Sequence, residues 1–253
     1  MLLLIFISCT GKQNNAYVQE QQIKVIPPRL SSSSSIIDST VTITANLRLD
    51  GVRIFYTTDG SEPTQESTTY TKPIVVNREG TYGFKAFHPS WKASDVSTLT
   101  LYKKGYTVSS FDWEYTGSDS YPGLGPTTLN NHEKAPLNFR DPQWMGFNSM
   151  ASATIRFEEK THIESMHIGY FVDQNSWIFP PAGITLFIPD SDSIHIDIES
   201  LKKIDSVHIE DLRIPIGKEL SSLNVVVYNA TLPEWHPGSG NKGWVFMDEW
   251  IFN

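Results

Sequence analysis

Tyr56-Thr57-Thr58-Asp59-Gly60-Ser61-Glu62-Pro63-Thr64 is the stretch that decides how the first part of this 253-residue chain folds. Asp59-Gly60 is a tight-turn dipeptide, and Pro63 fixes the direction of the chain leaving it. The hydroxyls of Thr57, Thr58, Ser61 and Thr64 can satisfy turn backbone that no strand ladder pairs. Outward from this turn, alternating apolar and polar residues occupy 41–45, 52–58, 73–76, 81–88 and 97–102. Turn residues bound these runs at Asp50-Gly51, at 77–80 and at Pro89-Ser90, and nothing before Lys104 keeps a helical period over about ten residues. Five short strands in about 70 residues predict an immunoglobulin-like β-sandwich over residues 31–104.

The second part, 106–253, follows a junction at Lys103-Lys104-Gly105. Strand-like runs recur at 153–157, 163–172, 184–188, 193–198, 206–209, 224–228 and 244–252. Their connections are long and rich in Pro and Gly, the pattern of a two-sheet jelly-roll β-sandwich. Residues 201–204 could carry one helical turn. The fold class expected is therefore all-β in both parts.

Composition removes several classes of function. The chain has 28 acidic against 20 basic residues and a net charge of −8. No basic field exists to displace phosphate counterions, so nucleic acid is not an expected partner. One cysteine excludes a disulfide framework and a cysteine-ligated zinc. No apolar run approaches the roughly 18 residues of a spanning helix. Residues 1–8 (MLLLIFIS) resemble a signal peptide's apolar core, and small Ser8 before Cys9 resembles the lipobox of bacterial lipoproteins. The expectation is a lipid-anchored protein of the bacterial cell envelope, acylated at Cys9, with 10–30 as a polar tether and the membrane as a partner. A buried N-terminal strand with an incidental thiol is the alternative.

The nine residues 56–64, followed by Ser67, Tyr70 and Pro73-Ile74, resemble the hallmark of the chitobiase/β-hexosaminidase C-terminal domain, over roughly residues 31–103. That resemblance implies an accessory domain, with the motif serving as a turn scaffold rather than as a site at Asp59 and Glu62. The second part resembles the galactose-binding-like (discoidin, coagulation-factor type C) domain. The matching pieces are Trp144-Met145-Gly146-Phe147, residues 163–171 ahead of 175–181, the turn 236–240 and the closing run 244–249. Both domains occur appended to bacterial β-N-acetylhexosaminidases of family 20. The resemblance also implies that Glu249 on the last strand could ligate a structural calcium, with no other cofactor required. The family's Leu-Thr-Asp-Gly stretch is here Leu129-Asn130-Asn131-His132.

Catalysis is not expected. Asp248-Glu249 resembles the adjacent acids of family 20 enzymes, but there is no room for their barrel of about 250 residues. On a straight strand, moreover, neighbouring side chains face opposite ways. His167, His195 and His208 invite a zinc proposal, yet the isoleucines flanking His195 place it on an exposed strand face, beside Asp197. Residues 190–193 (DSDS) read as a hairpin turn.

Sugars stack their C–H faces on flat rings and need fixed polar partners at their edges, so loop tryptophans beside polar residues are the candidate binding kit. Trp235 and His236, with Asn241, fit best; Trp144 with Arg140, and Trp177 with Asn175, come next. Trp244 and Trp250 read as strand core. The function expected is non-catalytic binding of a glycan that contains N-acetylhexosamine or galactose. An accessory region of a β-N-acetylhexosaminidase, acting by protein–protein contact without sugar, is the alternative.

Overall fold

The computed structural model describes residues 23–198 and 202–253. Cys9, the expected signal segment and residues 10–22 of the expected tether lie outside the described residues, as does Leu201 of the expected helical turn. Contacts divide the described residues into two compact units, 23–31 with 43–74 and 80–100, and 32–42 with 75–79, 101–198 and 202–253. Among the described residues the regular elements are strands and short 3-10 turns only.

Eight short strands come first: β1 (Arg29–Ser32), β2 (Ile36–Ile37), β3 (Val41–Asn46), β4 (Arg53–Thr57), β5 (Thr68–Tyr70), β6 (Ile74–Val76), β7 (Gly80–Phe87) and β8 (Ser97–Lys103). They form a three-stranded sheet, β1-β3-β6, and a five-stranded sheet, β2-β8-β7-β4-β5. Alternation does the sorting: in β3, Ile43 and Ala45 are buried while Thr42 and Thr44 are not. Ile43, Phe55, Phe84 and Ala86 fill the core, with the Phe55 and Phe87 rings edge to face at 5.5 Å. The deciding turn is held by its own hydroxyls. Asp59 Oδ1 accepts from Ser61 N and Ser61 Oγ, at 3.1 and 2.6 Å, and Thr57 Oγ1 donates to Ser61 O. Those bonds to Ser61 lower the Asp59 pKa. Residues 23–30 are not tether. Val25 is buried, its N–H donates to Lys92 O, and Ser97 Oγ donates to Pro28 O.

The second unit carries one large curled sheet. Its strands are β9 (Ser110–Tyr115), β10 (Met145–Phe147), β11 (Met150–Val172), β12 (Pro181–Phe187), β13 (Ile194–Asp197), β14 (His208–Asn229) and β15 (Val245–Phe252). The order is β10-β15-β11-β14-β12-β13, with β9 also paired to β11. The expected runs 153–157 and 163–172 belong to one 23-residue strand, and 224–228 falls on β14 together with the end of the run 206–209, since β14 begins at His208. Register shifts between Arg156 and Thr161 and between Ile163 and Ser165 let these two strands bend around the core without losing their ladder. All eight residues of β15 are buried, and Met247, Trp250 and Phe252 pack against Phe147, Ile168 and Val225. The segment 190–193 lies in the β12–β13 hairpin connection.

One irregularity bears on the acidic pair. β15 meets β11 in the pairs Phe252–Met166, Ile251–His167 and Trp250–Ile168, then Met247–Tyr170. Asp248 and Glu249 therefore stand together opposite the single residue Gly169, a β-bulge.

Candidate functional site

Beyond the end of β11, Asp173 starts a 3-10 turn over Gln174–Ser176, closed by Trp177. Trp177 has φ 66°, a left-handed conformation that costs a non-glycine residue on the order of 1–3 kcal/mol. Its surroundings impose it: Trp177 N–H donates to Gln174 O, Trp177 O accepts from Trp244 N at 2.8 Å, and Asp173 and Ile178 bridge across the turn. The result is an indole held out at the surface, 40% exposed.

The loop 231–242 comes up beside it. Its base is clamped by the Thr231–Lys242 bridge and by Asn229 Nδ2 donating to Gly243 O at 2.7 Å. Within it, Leu232 and Asn241 are joined through backbone, and Asn241 Nδ2 donates to Gly238 O. Trp235, on this loop, is also 40% exposed. Gly238 lets the loop touch its neighbour, since a Cβ there would lie 2.3 Å from Cη2 and Cζ3 of Trp177.

His236 and Gln174 tie the parts together. The His236 ring stands edge to face against Trp177 at 5.0 Å, Phe179 at 5.3 Å and Trp235 at 5.7 Å. Its Nδ1 accepts from Gly238 N–H and its Nε2 donates to Gln174 O, both at 3.1 Å. Buried Gln174 in turn donates from Nε2 to Lys202 O and accepts at Oε1 from Ile204 N. Three chain segments thus meet around a cleft of about 290 Å³, walled by Trp177, Trp235 and Pro237 and rimmed by Asn175, Lys203 and Asp205. Two flat rings with an amide, an ammonium and a carboxylate at the rim offer stacking faces and both kinds of hydrogen-bond partner.

The expected site residues separate accordingly. Trp235 and Trp177 share the cleft. His236, expected to offer a ligand its polar edge, is 6% exposed with both ring nitrogens engaged, so it supports the rings instead. Asn241 closes the loop. Trp144 is buried rather than exposed: its ring packs edge-on against Phe171 and its indole N–H donates to Pro136 O at 2.9 Å, leaving no face for a sugar. Arg140 is exposed and lies over the Phe139 ring at 4.5 Å.

Asp248 and Glu249 do share one loop, contrary to the straight-strand expectation, because the bulge turns both toward 131–135. Asp248 Oδ1 accepts from Lys134 Nζ at 2.9 Å and Oδ2 from Ala135 N at 3.0 Å. Lys134 also reaches Asp211 at 2.7 Å. Burial opposes its charge, but Asp248 and Asp211 outweigh it and hold the pKa of Lys134 above the ordinary value. Glu249 accepts from Asn131 N–H and His132 N–H, each at 3.1 Å, and burial pushes its pKa up to about 8. His132 has φ 63° at the place that the Leu-Thr-Asp-Gly pattern gives to glycine. Calcium does not fit here: both Glu249 oxygens face N–H donors, the wrong polarity for a cation shell. Among the described residues no three His, Cys, Asp or Glu side chains form a metal cluster, and His167, His195 and His208 do not converge. His195 lies between Thr185 and Asp197 on the open face of the sheet.

Residues 33–98 match the chitobiase/beta-hexosaminidase C-terminal domain.

This accessory-domain match covers the turn motif and most of the first sandwich. No sequence among the curated proteins matches the chain. Solved structures similar to it include CpGH89CBM32-4 of Clostridium perfringens, in complex with glcNAc-alpha-1,4-galactose, at 12% identity and TM-score 0.32 over 57% of this chain and 89% of that one. A fucolectin from striped bass (Morone saxatilis) serum has 9% identity and TM-score 0.35, over 88% and 84%. A two-domain protein of Bacteroides fragilis, described as of unknown function, has 10% identity and TM-score 0.33, over 92% and 91%.

Sequence reasoning missed Gln174, Lys203 and Asp205. Lys203 and Asp205 reach the cleft only because the Gln174 side chain binds the backbone of 202–204 about 30 positions away. Trp244, expected as strand core, is only partly buried, and with Tyr121, Phe139, Ser176, Ile178 and Phe246 it lines a second, smaller cavity of about 110 Å³.

Proposed function

We propose that the second unit is a non-catalytic glycan-binding module and that the Trp177–Trp235 cleft is its binding site. The observation that carries this is the preorganised ring pair: a strained backbone at Trp177, a buttressing histidine and a contact at Gly238 keep two aromatic faces beside polar groups. Preorganisation of that kind lowers the ordering cost of binding. At about 290 Å³ the cleft stands at the small end of ligand pockets, a size that suits a single sugar ring. Exposure of both rings favours a sugar site over the protein-contact alternative, which would have them covered. The accessory-domain match at residues 33–98 fits a protein that handles glycans without cleaving them, and the acidic pair is buried and saturated by donors rather than open to substrate. We also place the protein in the bacterial envelope, anchored through acylated Cys9.

A glycan array probed with the wild-type chain, Trp177→Ala and Trp235→Ala tests the site. Losing a stacked ring typically costs about 1–3 kcal/mol, so each variant should bind its glycan roughly 5- to 150-fold more weakly while remaining folded. No glycan bound by the wild type, or affinities unchanged in both variants, refutes the reading.

A further inference from the structure

His236 supports the ring pair through hydrogen bonds that only one protonation state allows. Its Nδ1 faces the backbone N–H of Gly238 at 3.1 Å, and a backbone N–H can only donate, so Nδ1 must present a free lone pair. Its Nε2 faces the carbonyl oxygen of Gln174 at 3.1 Å, which can only accept, so Nε2 must carry the proton. The ring in place is therefore the neutral imidazole, and at 6% exposure solvent offers it no substitute partner.

A proton added at Nδ1 sets two donors against each other, and a buried N–H without an acceptor is costly, the more so on a charged ring. Either Gly238 or the imidazole must move. Gly238 packs on the Trp177 indole, and the imidazole stands edge to face against Trp177, Phe179 and Trp235, so both cleft rings lose support whichever one yields. The base of the loop is held independently, by the Thr231–Lys242 bridge and by Asn229 donating to Gly243 O. The change is thus confined to the cleft. The charged groups around the ring do not take up its proton's charge. Asp173 accepts from Ser176 N–H, Lys242 donates to Asn229 O and Thr231 Oγ1, and Lys202 and Glu234 are exposed. Lys203 and Asp205 share the cleft lining with opposite charges. Among the described residues the histidines in ion pairs are His132, His162, His195 and His208, not His236.

We propose that His236 is a positioning residue that makes the cleft pH-sensitive: neutral, it holds Trp177 and Trp235 as a platform, and protonated, it releases them. This rests on the glycan reading of the cleft and adds its regulation, capture at the higher pH and release on acidification. Histidine is the side chain suited to such a switch, since its charge ordinarily changes between about pH 5 and 8. Apparent affinity scales with the fraction of molecules in the competent state. Binding is therefore constant while His236 is neutral and weakens by up to about tenfold for each pH unit below its protonation midpoint. A neutral glycan does not titrate, so the dependence belongs to the protein.

The test follows two quantities on the full chain between about pH 8 and about pH 5: binding to an array of neutral glycans, and the NMR signals of the His236 ring nitrogens and the Gly238 amide. In the wild type Nδ1 should be unprotonated at the upper end, the Gly238 amide should shift as Nδ1 takes up its proton, and every glycan bound at the upper end should be lost in step. His236→Gln keeps an N–H for Gln174 O and cannot titrate, so its binding, whatever its strength, should no longer follow pH. Asp205→Asn removes the carboxylate of the cleft and should leave the wild-type dependence in place. A histidine that is merely structural would weaken binding when replaced but would give no pH profile. Undiminished binding by the protonated protein, a ring that stays neutral throughout, or a dependence that His236→Gln retains overturns this inference and leaves the glycan reading standing. If His236→Gln does not fold, the wild-type comparison of ring protonation with binding decides alone. No glycan bound at the upper end overturns the glycan reading and this inference with it.

Discussion

Replacing Gly238 by alanine puts a methyl group where the Trp177 indole now lies. The new Cβ would sit 2.3 Å from Trp177 Cη2 and Cζ3 and 3.0 Å from Leu232 Cδ1. Carbon atoms pack at about 3.5 Å or more, so the ring must withdraw by roughly 1.2 Å. The main chain of Trp177 is held by Gln174 O and Trp244 N, so the indole has to yield by turning about its side-chain bonds. It therefore rotates out over the cleft, and the stacking face is lost. Binding should fall by the amount expected for losing the ring, roughly 5- to 150-fold. The stability cost has a ceiling. Trp177 is 40% exposed already, so at most about three-fifths of a 150–250 Å² side chain leaves its packing, about 2–4 kcal/mol at 25 cal/mol per Å². That corresponds to a melting temperature lower by roughly 4–16 °C. Calorimetric titration of wild type, Gly238→Ala, Trp177→Ala and the double variant decides the case. If glycine acts only through the indole, Gly238→Ala should add nothing in the Trp177→Ala background. Additive losses would refute the claim that Gly238 serves this ring.

Three further substitutions have expected outcomes. A Cβ at Gly169 would lie 2.1 Å from both Asp248 Oδ1 and Lys134 Nζ, so Gly169→Ala should break a buried ion pair and cost about 3–5 kcal/mol, read as a melt lowered by roughly 6–20 °C; an unshifted melt would show that the bulge tolerates a side chain. Burial raises the Glu249 pKa from 4.5 to about 8, so the folded protein keeps a proton that the unfolded chain has released. Its contribution to stability is present below pH 4.5 and declines by up to about 1.4 kcal/mol per pH unit as the pH rises to about 8. Glu249→Gln should flatten that slope in denaturant titrations, and equal slopes would place the titrating group elsewhere. Cys9→Ala should release the protein from membranes, and equal retention of variant and wild type would remove the proposed anchor.

What was legible in the sequence was local. The Asp59-Gly60 turn closes through bonds to Ser61, two residues on, and nine consecutive residues carry its chemistry. Alternation in 41–45 or 193–198 likewise reports which face is buried, because each side chain's environment repeats every second position. The longer strands were harder to read for a physical reason. The segment 158–162 (EEKTH) is polar because it lies at the exposed bend of β11, and polarity there resembles a loop even though the ladder with β14 resumes at Thr161. The acidic pair shows the same limit, since a bulge exists only as a count of residues against the partner strand, and the sequence of β15 alone cannot contain it.

The tryptophans were separable only by tertiary structure. Trp144 and Trp177 each precede apolar residues and follow polar ones, yet one indole is enclosed by Phe171 and Pro136 while the other stands at the surface. What distinguishes Trp177 is a left-handed backbone that glycine or asparagine would ordinarily occupy, held there by Gln174 and Trp244. That strain is informative in itself. A tryptophan kept in an unfavourable conformation, half exposed, gains less from burial than Trp144 does, so packing alone does not account for it. The same turn gives Ser176 to the smaller cavity and Trp177 to the cleft, so two adjacent residues of one short segment meet different surroundings that their sequence does not distinguish.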